Sequence, residues 1–249
     1  MTISKSVLWT AAAVIALGVG MGVGAARAEP AISGMWVLDQ EPGQKAKNGG
    51  APLTDAARAE AQADARRQAH YGRIKSEAHT KCLPAGMPGL MTPPFGIEFL
   101  QTKGRITILS EVSNLPRTIY MAEKAHPADL DPSWNGHSIG HWEGEVLVVD
   151  TIGFNGRQPR VSKDMHISEK IRLTDGGKYM VDEMTLADPA TYTRPVTQAF
   201  RYRRLAEGEE LMEYICEVIP EDLNAFLAEK PVPETKAEAA PQAVRQAAY

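Results

Sequence analysis

The chain has 249 residues, of which 27 are basic and 31 acidic, so its formal net charge is −4 at pH 7. The basic residues form no stripe or block, which excludes nucleic acid as an expected partner. The length is sufficient for one domain with a full hydrophobic core.

The N-terminus has the pattern of a secretory signal peptide. Lys5 lies in a positive first segment, an apolar run covers 7–23, and an A-x-A site ends at Ala28. We predict a signal peptide over 1–28 and a periplasmic or secreted protein with no stable membrane insertion after cleavage. An uncleaved membrane anchor is the alternative, but the many Gly and Ala residues and the small-residue exit favour cleavage.

The next segments predict a strand, a helix and an irregular loop. Hydrophobic residues favour a strand over 32–38, and an Ala-, Glu- and Arg-rich stretch predicts a helix over 54–71. Thr54 is the expected N-cap of that helix. The Pro- and Gly-rich stretch over 81–94 is too broken for regular structure.

The remainder of the domain predicts strands at short intervals, separated by tight turns. We place them at 97–101, 105–112, 117–122, 137–142, 145–154, 166–174, 178–186, 198–205 and 211–218. This order predicts a mainly β fold, either an antiparallel lipocalin-like barrel or a β-sandwich, with one N-terminal helix. The expected domain covers 29–222, and the Ala-, Glu- and Pro-rich composition at the C-terminus predicts a partly disordered tail over 223–249.

The chain contains two cysteines, Cys82 and Cys216. In an exported protein a disulfide between them is the default expectation. The alternatives are two buried free thiols and a redox pair, and no C-x-x-C spacing supports the second.

Residues 136–140 match the G-x-S-x-G pattern of serine hydrolases, with Ser138 in the nucleophile position. A nucleophile elbow requires a buried strand before the first glycine and a helix after the second. Here a turn-rich loop precedes the motif, and a tight turn and a strand follow it. We therefore interpret this stretch as part of a β-hairpin.

Several motifs resemble those of a group of exported bacterial proteins of unassigned function. They are Cys82-x-Pro84-x-Gly86-x-Pro88, Arg117-x-Ile119-Tyr120-Met121, His126-Pro127, the signature G-H-S-x-G-x-W-E-G-D/E-x-L-V-V-D-T-x-G-F over 136–154, Asp188-Pro189-x-x-Tyr192-Thr193-x-Pro195 and Glu213-Tyr214-x-Cys216. The resemblance covers most of 32–217 and implies export, but it brings no agreed chemistry. This chain departs from the pattern at His141, where Arg is expected, and at Asp182, where an apolar residue is expected.

Two acids are predicted to share one face of a hairpin. If Asp175-Gly176 is a two-residue turn, Glu169 faces Asp182 on an apolar face. Two carboxylates held that close would share a proton near neutral pH, and one could act as acid and the other as base. The alternatives are a three-residue turn, which moves one acid to solvent, and an Arg that neutralises both.

A second register argument concerns the histidine of the G-x-S-x-G stretch. With Glu143-Gly144 as a two-residue turn, His137 faces Asp150, while Ser138 points to the other face. A cross-strand carboxylate would orient the imidazole and raise its basicity. The alternative is a structural hydrogen bond at the end of the sheet.

The remaining candidates are ligand contacts rather than catalytic groups. They are His141, Tyr192, Met180, Met184 and Arg117. The methionines would supply an adaptable lining, although methionine also fills gaps in ordinary cores. No metal is expected, because four residues along a strand separate His137 from His141 by about 13 Å.

Together these patterns suggest a periplasmic enzyme that acts on a small apolar or aromatic molecule without a cofactor, as an isomerase, lyase or hydratase. In this hypothesis Glu169 and Asp182 exchange the proton, and His137, oriented by Asp150, orients the substrate or shuttles a proton. The first alternative is a non-catalytic carrier of a small hydrophobic ligand. The second is an envelope structural or assembly factor, which would have no enclosed cavity.

Overall fold

A computed structural model describes residues 29–39, 51–71, 81–92 and 94–216 of the chain. The predicted signal peptide over 1–28 and the predicted tail over 223–249 lie outside the described residues. The helix is α1 (Asp55–Tyr71), and short 3-10 turns occur at Gly89–Met91 and Asp175–Gly177. The strands are β1 (Gly34–Leu38), β2 (Gly96–Thr102), β3 (Arg105–Ser110), β4 (Ser113–Tyr120), β5 (His137–Glu143), β6 (Val146–Ile152), β7 (His166–Thr174), β8 (Tyr179–Ala187) and β9 (Val196–Arg204).

The nine strands form one closed barrel in chain order, and β1 pairs with β9 to complete it. The prediction of a mainly β barrel with one helix is confirmed, and the described residues do not form the alternative sandwich. One neighbouring pair differs from the antiparallel pattern, since β4 and β5 run parallel. The connection over 121–136 is long enough for the crossover that a parallel pair requires.

The predicted strand over 211–218 does not form in the part of it that the structure describes. Residues 211–216 have no regular structure, and Met212 and Ile215 are each 72% exposed. Because β1 and β9 already pair with each other, the barrel offers no free edge to a further strand.

Alternation along the strands builds the core. In β6, for example, Leu147 and Val149 are buried, whereas Val146 and Val148 are partly exposed. The same period of two in β8 turns Met180, Asp182 and Met184 inward. The inward side chains of the strands form one continuous hydrophobic cluster, so the barrel interior is a packed core.

Helix α1 lies beside the loop between β8 and β9. The backbone N–H of Thr54 donates to the carbonyl of Thr191 at 2.9 Å, and Leu53 forms an isolated bridge with Tyr192. The Thr54 hydroxyl accepts a hydrogen bond from the backbone N–H of Ala57 at 3.2 Å, which confirms the predicted N-cap. No helix within the described residues has the length and apolar character needed to cross a membrane.

Residues 82–92, here called the covering segment, pack against the core. Met87, Leu90 and Met91 are fully buried and belong to the same cluster as the inward barrel residues. The hydroxyl of Tyr202 in β9 donates to the carbonyl of Met91 at 2.7 Å. The segment is therefore part of the folded core, although its sequence predicts only an irregular loop.

The disulfide between Cys82 and Cys216 is confirmed, with a Cα–Cα distance of 5.7 Å. It links the start of the covering segment to the chain that follows β9. The two cysteines are 134 positions apart in sequence, so the bond closes a long loop in the unfolded chain.

Replacing both Cys82 and Cys216 by Ala should lower the free energy of unfolding by about 4–5 kcal/mol, since the unfolded chain regains the entropy of that loop. Urea unfolding with and without a reductant measures the loss. A reductant should destabilise the wild-type protein but leave the double variant unchanged. Equal stability of the two proteins under oxidising conditions would contradict the prediction.

Candidate functional site

The two predicted acids both point into the barrel, but they do not face each other. The register pairs Glu169 with Met184 and Ile171 with Asp182. The predicted pairing of Glu169 with Asp182 is therefore wrong. The connection consists of the four residues 175–178 rather than two, with Gly176 at φ 66°, so each partner shifts by two positions. A shift of two preserves the face of a strand, which is why both acids remain inside.

Arg117 of β4 neutralises Glu169 inside the barrel. Its Nη1 donates to Glu169 Oε1 at 2.9 Å, and its Nη2 donates to Glu169 Oε2. Both side chains are essentially inaccessible, with exposed fractions of 1% and 0%. Burial alone would lower the pKa of Arg117, but the charge of Glu169 and their hydrogen bonds raise it, so the guanidinium stays protonated.

Two hydroxyl groups complete the shell around the guanidinium. Ser138 Oγ accepts from Arg117 Nε at 3.3 Å, and Thr151 Oγ1 accepts from Nη2 at 3.2 Å. The two hydroxyls also contact each other at 2.8 Å. Ser138 thus serves as a buried hydrogen-bond partner of an arginine, which agrees with the rejection of a nucleophile elbow.

Close packing explains both glycines of the G-x-S-x-G stretch. A Cβ at Gly140 would lie 2.7 Å from Ile119 Cγ2 on the neighbouring parallel strand. Gly136 has φ 68°, and a Cβ there would lie 2.7 Å from the carbonyl oxygen of Ile152. Both positions require glycine for close approach of the backbone rather than for catalysis.

Asp182 is fully buried, and neither of its carboxyl oxygens has a hydrogen-bond donor among the residues that the structure describes. Burial raises the pKa of Asp182 well above its usual range, and the negative charge of Glu169 raises it further, against the lowering effect of Arg117. A protonated Asp182 can itself donate to Glu169, which two ionised carboxylates could not do. Burial and the charge of Glu169 therefore favour the neutral form of Asp182 beside the ion pair.

Tyr202 lies near the same acids. Burial raises the pKa of Tyr202 well above its usual value, and the charges of Asp182 and Glu169 act in the same direction. The phenol therefore remains neutral and keeps its hydrogen bond to the Met91 carbonyl. This bond connects the surroundings of Asp182 to the covering segment.

The second candidate pair, His137 and Asp150, also differs from the predicted register. Glu143 pairs with Val146, so the turn is Gly144-Glu145, with Gly144 at φ 62°. As a result Ile139 faces Asp150, and His137 faces Ile152 instead of Asp150. The predicted direct contact between His137 and Asp150 is wrong.

His126, in the connection between β4 and β5, bridges the two residues instead. Its Nε2 lies 2.9 Å from Asp150 Oδ2, and its Nδ1 lies 2.8 Å from His137 Nδ1. The other oxygen of Asp150 lies 2.5 Å from His166 Nε2. His137 Nε2 lies 3.4 Å from Glu123 Oε2. We call Glu123, His126, His137, Asp150 and His166 the outer histidine cluster.

Charge and burial act in opposite directions within the outer histidine cluster. Burial lowers the pKa of His137, partly offset by the charge of Glu123. Burial alone would raise the pKa of Asp150, but hydrogen bonds from His166 and His126 outweigh it and lower the pKa. Asp150 is therefore an ionised acceptor between two imidazoles.

The predicted single site splits into two, one on each side of the barrel wall. His137 and Asp150 point outward, whereas the neighbouring residues Ser138 and Thr151 are buried inside. His137 therefore has no contact through which it could assist Asp182 in one reaction. The period of two places adjacent residues on opposite faces, and the closed barrel turns those faces into inside and outside.

The other predicted ligand contacts divide in the same way. Met180 and Met184 point into the core at 0% and 1% exposure. His141 lies on the outer face with 63% of its side chain exposed, 3.1 Å from Glu143, so it does not line the interior. Tyr192 is partly buried beside the bridge to Leu53.

Sequence reasoning missed His126 as a site residue. His126 lies in an irregular connection, where no periodicity indicates direction. Its proximity to His137 results from the parallel pairing of β4 with β5, which no local pattern predicts. The one signal in the sequence is the His126-Pro127 dipeptide, which is among the motifs that suggested the resemblance.

An open groove lies where the connection between β7 and β8 meets the end of β9. Residues 176–179 and 203–206 line most of it. It contains neither Asp182 nor any member of the outer histidine cluster, so it supplies no path to either group of residues.

No protein-family model matches the chain, and no curated protein matches it. A solved structure of the wild-type fluorescent protein UnaG is similar at 18% identity and a TM-score of 0.29, over 44% of this chain and 72% of that chain. A mutant of UnaG is similar at 15% identity and a TM-score of 0.34, over 70% of this chain and 96% of that chain. Neither match bears on the chemistry of the chain.

Replacing Arg117 by Met should lower the free energy of unfolding by about 3–5 kcal/mol, because Glu169 would remain buried without its cation. The matched control is Arg172→Ala. Arg172 binds Glu183 at 2.8 Å, but their side chains are 39% and 41% exposed. That change should lower the free energy of unfolding by less than about 1 kcal/mol. Urea unfolding measures the loss in each variant, and equal losses would contradict a buried ion pair between Arg117 and Glu169.

The raised pKa of Asp182 predicts a specific dependence of stability on pH. The folded protein holds the Asp182 proton more tightly than the unfolded chain, so this contribution is complete at low pH. It is lost as the pH rises from the usual carboxyl range, about pH 4, through the raised folded pKa. The free energy of unfolding of wild type minus that of Asp182→Asn should therefore fall with pH. Parallel curves between pH 4.5 and 9 would show that the pKa of Asp182 is ordinary.

Proposed function

We propose that the barrel binds a small, largely apolar or aromatic molecule that carries a hydrogen-bond donor, with Asp182 as its polar anchor. The observation that carries this proposal is that both carboxyl oxygens of Asp182 lack a donor although the side chain is fully buried. Buried polar groups in folded proteins almost always have a partner, because leaving one unpaired costs about 1–3 kcal/mol.

Stability gives no reason to keep an acid at position 182. The ion pair of Arg117 with Glu169 is already complete through the two hydroxyls of Ser138 and Thr151. A second acid beside it must lose its hydration and must hold a proton to avoid repulsion by Glu169, and an apolar residue of similar volume would avoid both costs. A group kept at such a cost inside an apolar core is typical of a binding or catalytic site.

The neighbours of Asp182 suit an apolar ligand. Its cross-strand partners are Ile171 and Phe200, and Met180 and Met184 are the adjacent inward positions on β8. Methionine side chains repack at low cost, so they can adapt to a bound molecule. A cation or hydroxyl of the ligand would supply the donor that Asp182 lacks.

Entry of a ligand requires the covering segment to move, because side chains fill the interior. Met87, Leu90 and Met91 would be displaced, and the hydrogen bond from Tyr202 to Met91 would break. The disulfide at Cys82 tethers one end of the segment throughout. The ligand therefore replaces the covering segment's contacts with the core.

The second candidate function is cofactor-independent acid/base catalysis on a molecule of the same class, of the isomerase, lyase or hydratase type. The observation that favours it is the fully buried Asp182 beside Glu169, where burial raises the pKa of Asp182 well above its usual range, since a protonated acid in an apolar site can protonate a substrate. Glu169 is the weaker half of this pair, because Arg117 occupies both of its oxygens. We place either activity in the periplasm, on the basis of the 1–28 segment.

Two substitutions at position 182 test the proposal. The full chain is incubated with a metabolite extract, re-purified, and analysed by mass spectrometry for what it retains or alters. Asp182→Leu removes both acceptors and should weaken retention about 5- to 150-fold, the equivalent of one lost hydrogen bond to a buried donor. Asp182→Asn keeps one acceptor and should still retain the molecule.

The same experiment separates the candidate functions. A carrier releases the molecule unchanged from both wild type and Asp182→Asn. An enzyme converts it in the wild type and not in Asp182→Asn. If wild type retains nothing, or if Asp182→Leu retains the same molecules as wild type, the binding proposal is wrong and a structural role for the filled barrel is favoured.

A further inference from the structure

The outer histidine cluster presents two imidazole nitrogens to each other. Nδ1 of His126 and Nδ1 of His137 lie 2.8 Å apart, at the junction of β5 with the connection that precedes it. The opposite nitrogen of each ring faces a carboxylate. His126 Nε2 lies 2.9 Å from Asp150, and His137 Nε2 lies 3.4 Å from Glu123.

This arrangement determines where the protons lie. A carboxylate only accepts, so His126 Nε2, which lies 2.9 Å from Asp150, carries the proton of that ring. A neutral His126 therefore presents the lone pair of its Nδ1 to His137. In the metal-free protein His137 Nδ1 can donate to that lone pair across 2.8 Å. When the His137 proton lies on Nε2 instead, the two Nδ1 lone pairs converge and a cation can take the place of the hydrogen-bonded proton.

We propose that His126 and His137 form a two-histidine site for a divalent transition-metal ion on the outer wall of the barrel. Metal-binding histidines in proteins usually donate their second N–H to a carboxylate. His126 has that partner in Asp150 at 2.9 Å, and Glu123 lies 3.4 Å from the corresponding nitrogen of His137. Imidazole nitrogen suits Zn²⁺ and Cu²⁺, whereas Mg²⁺ and Ca²⁺ require oxygen ligands. The site is independent of ligand binding inside the barrel.

The surrounding contacts hold both rings in position. Tyr120 stacks on His137 with ring centroids 4.9 Å apart and an interplanar angle of 14°. His166 binds the oxygen of Asp150 that His126 leaves free. The two ligand side chains are 12% and 17% exposed, so their orientations are constrained while an ion can still reach them.

Binding requires only a small movement. Two nitrogens that share a tetrahedral Zn²⁺ at about 2.0–2.1 Å lie roughly 3.3 Å apart, so the rings must separate by roughly half an ångström. His126 lies in an irregular connection, which can accommodate that shift. The described residues contain no group of three or more ligating side chains placed for one ion, so water completes the coordination. The site is therefore open to exchange.

Calorimetric titration of the metal-free, untagged full chain at pH 7.5 tests the proposal. We expect one Zn²⁺ or Cu²⁺ per chain and no response to Mg²⁺. His126→Gln and His137→Gln should each abolish binding, and Asp150→Asn should weaken it 10- to 100-fold through the orientation of His126. His141→Gln is the matched control, because His141 lies on the outer face of the same strand without contact to the cluster, and it should bind as wild type does.

A measurement on the unmodified protein covers the case in which these variants fold poorly. The electron paramagnetic resonance spectrum of the Cu²⁺-loaded wild type should show coupling to two imidazole nitrogens. Failure of Zn²⁺ and Cu²⁺ to bind would mean that a proton alone bridges the rings and would overturn the proposal. Binding that survives His137→Gln, or that His141→Gln removes equally, would overturn it as well.

Discussion

Pairing of β1 with β9 closes the sheet, and this closure divides every strand into an inner and an outer row of side chains. Because the core is packed, an inward polar group must find its partners among protein atoms. An outward polar group can form its hydrogen bonds with water or with neighbouring side chains. The chemistry of this protein follows from that division, since adjacent residues of one strand encounter different dielectric environments.

Inside the barrel, one ion pair has its hydrogen-bond partners and one acid does not. Arg117 and Glu169 neutralise each other, and the hydroxyls of Ser138 and Thr151 accept further hydrogen bonds from the guanidinium of Arg117. Neither carboxyl oxygen of Asp182 receives a hydrogen bond from these groups, and burial raises the pKa of Asp182, which favours the protonated acid over a buried charge. A core built for stability alone would have no such group, so Asp182 is the interior residue that we expect to act in ligand binding or catalysis.

On the outside of the same wall, the connection between β4 and β5 brings His126 against two strands. The parallel pairing of these strands places the connection over the ends of β5 and β6, where His137 and Asp150 lie. At these strand ends His126 and His166 contact Asp150, and His137 lies near Glu123. All of these side chains are partly exposed. The two clusters share strands without sharing a cavity, so each can be altered with little effect on the other.

The fold class, the helix with its Thr54 cap, and the faces of Glu169 and Asp182 could be predicted from the sequence, because local periodicity and turn residues encode them. The cysteine pair followed from the count of two cysteines in a chain predicted to be exported. Strand register could not be predicted. The β7–β8 connection is two residues longer than the predicted turn and the β5–β6 turn lies one position further along the chain, and each change shifts the partners by two positions while preserving the faces. The contacts of Arg117 with Glu169 and of His126 with His137, and the lack of a donor at Asp182, became visible only in the folded barrel. These contacts cross between distant strands, and their geometry depends on closure of the whole barrel rather than on any local pattern.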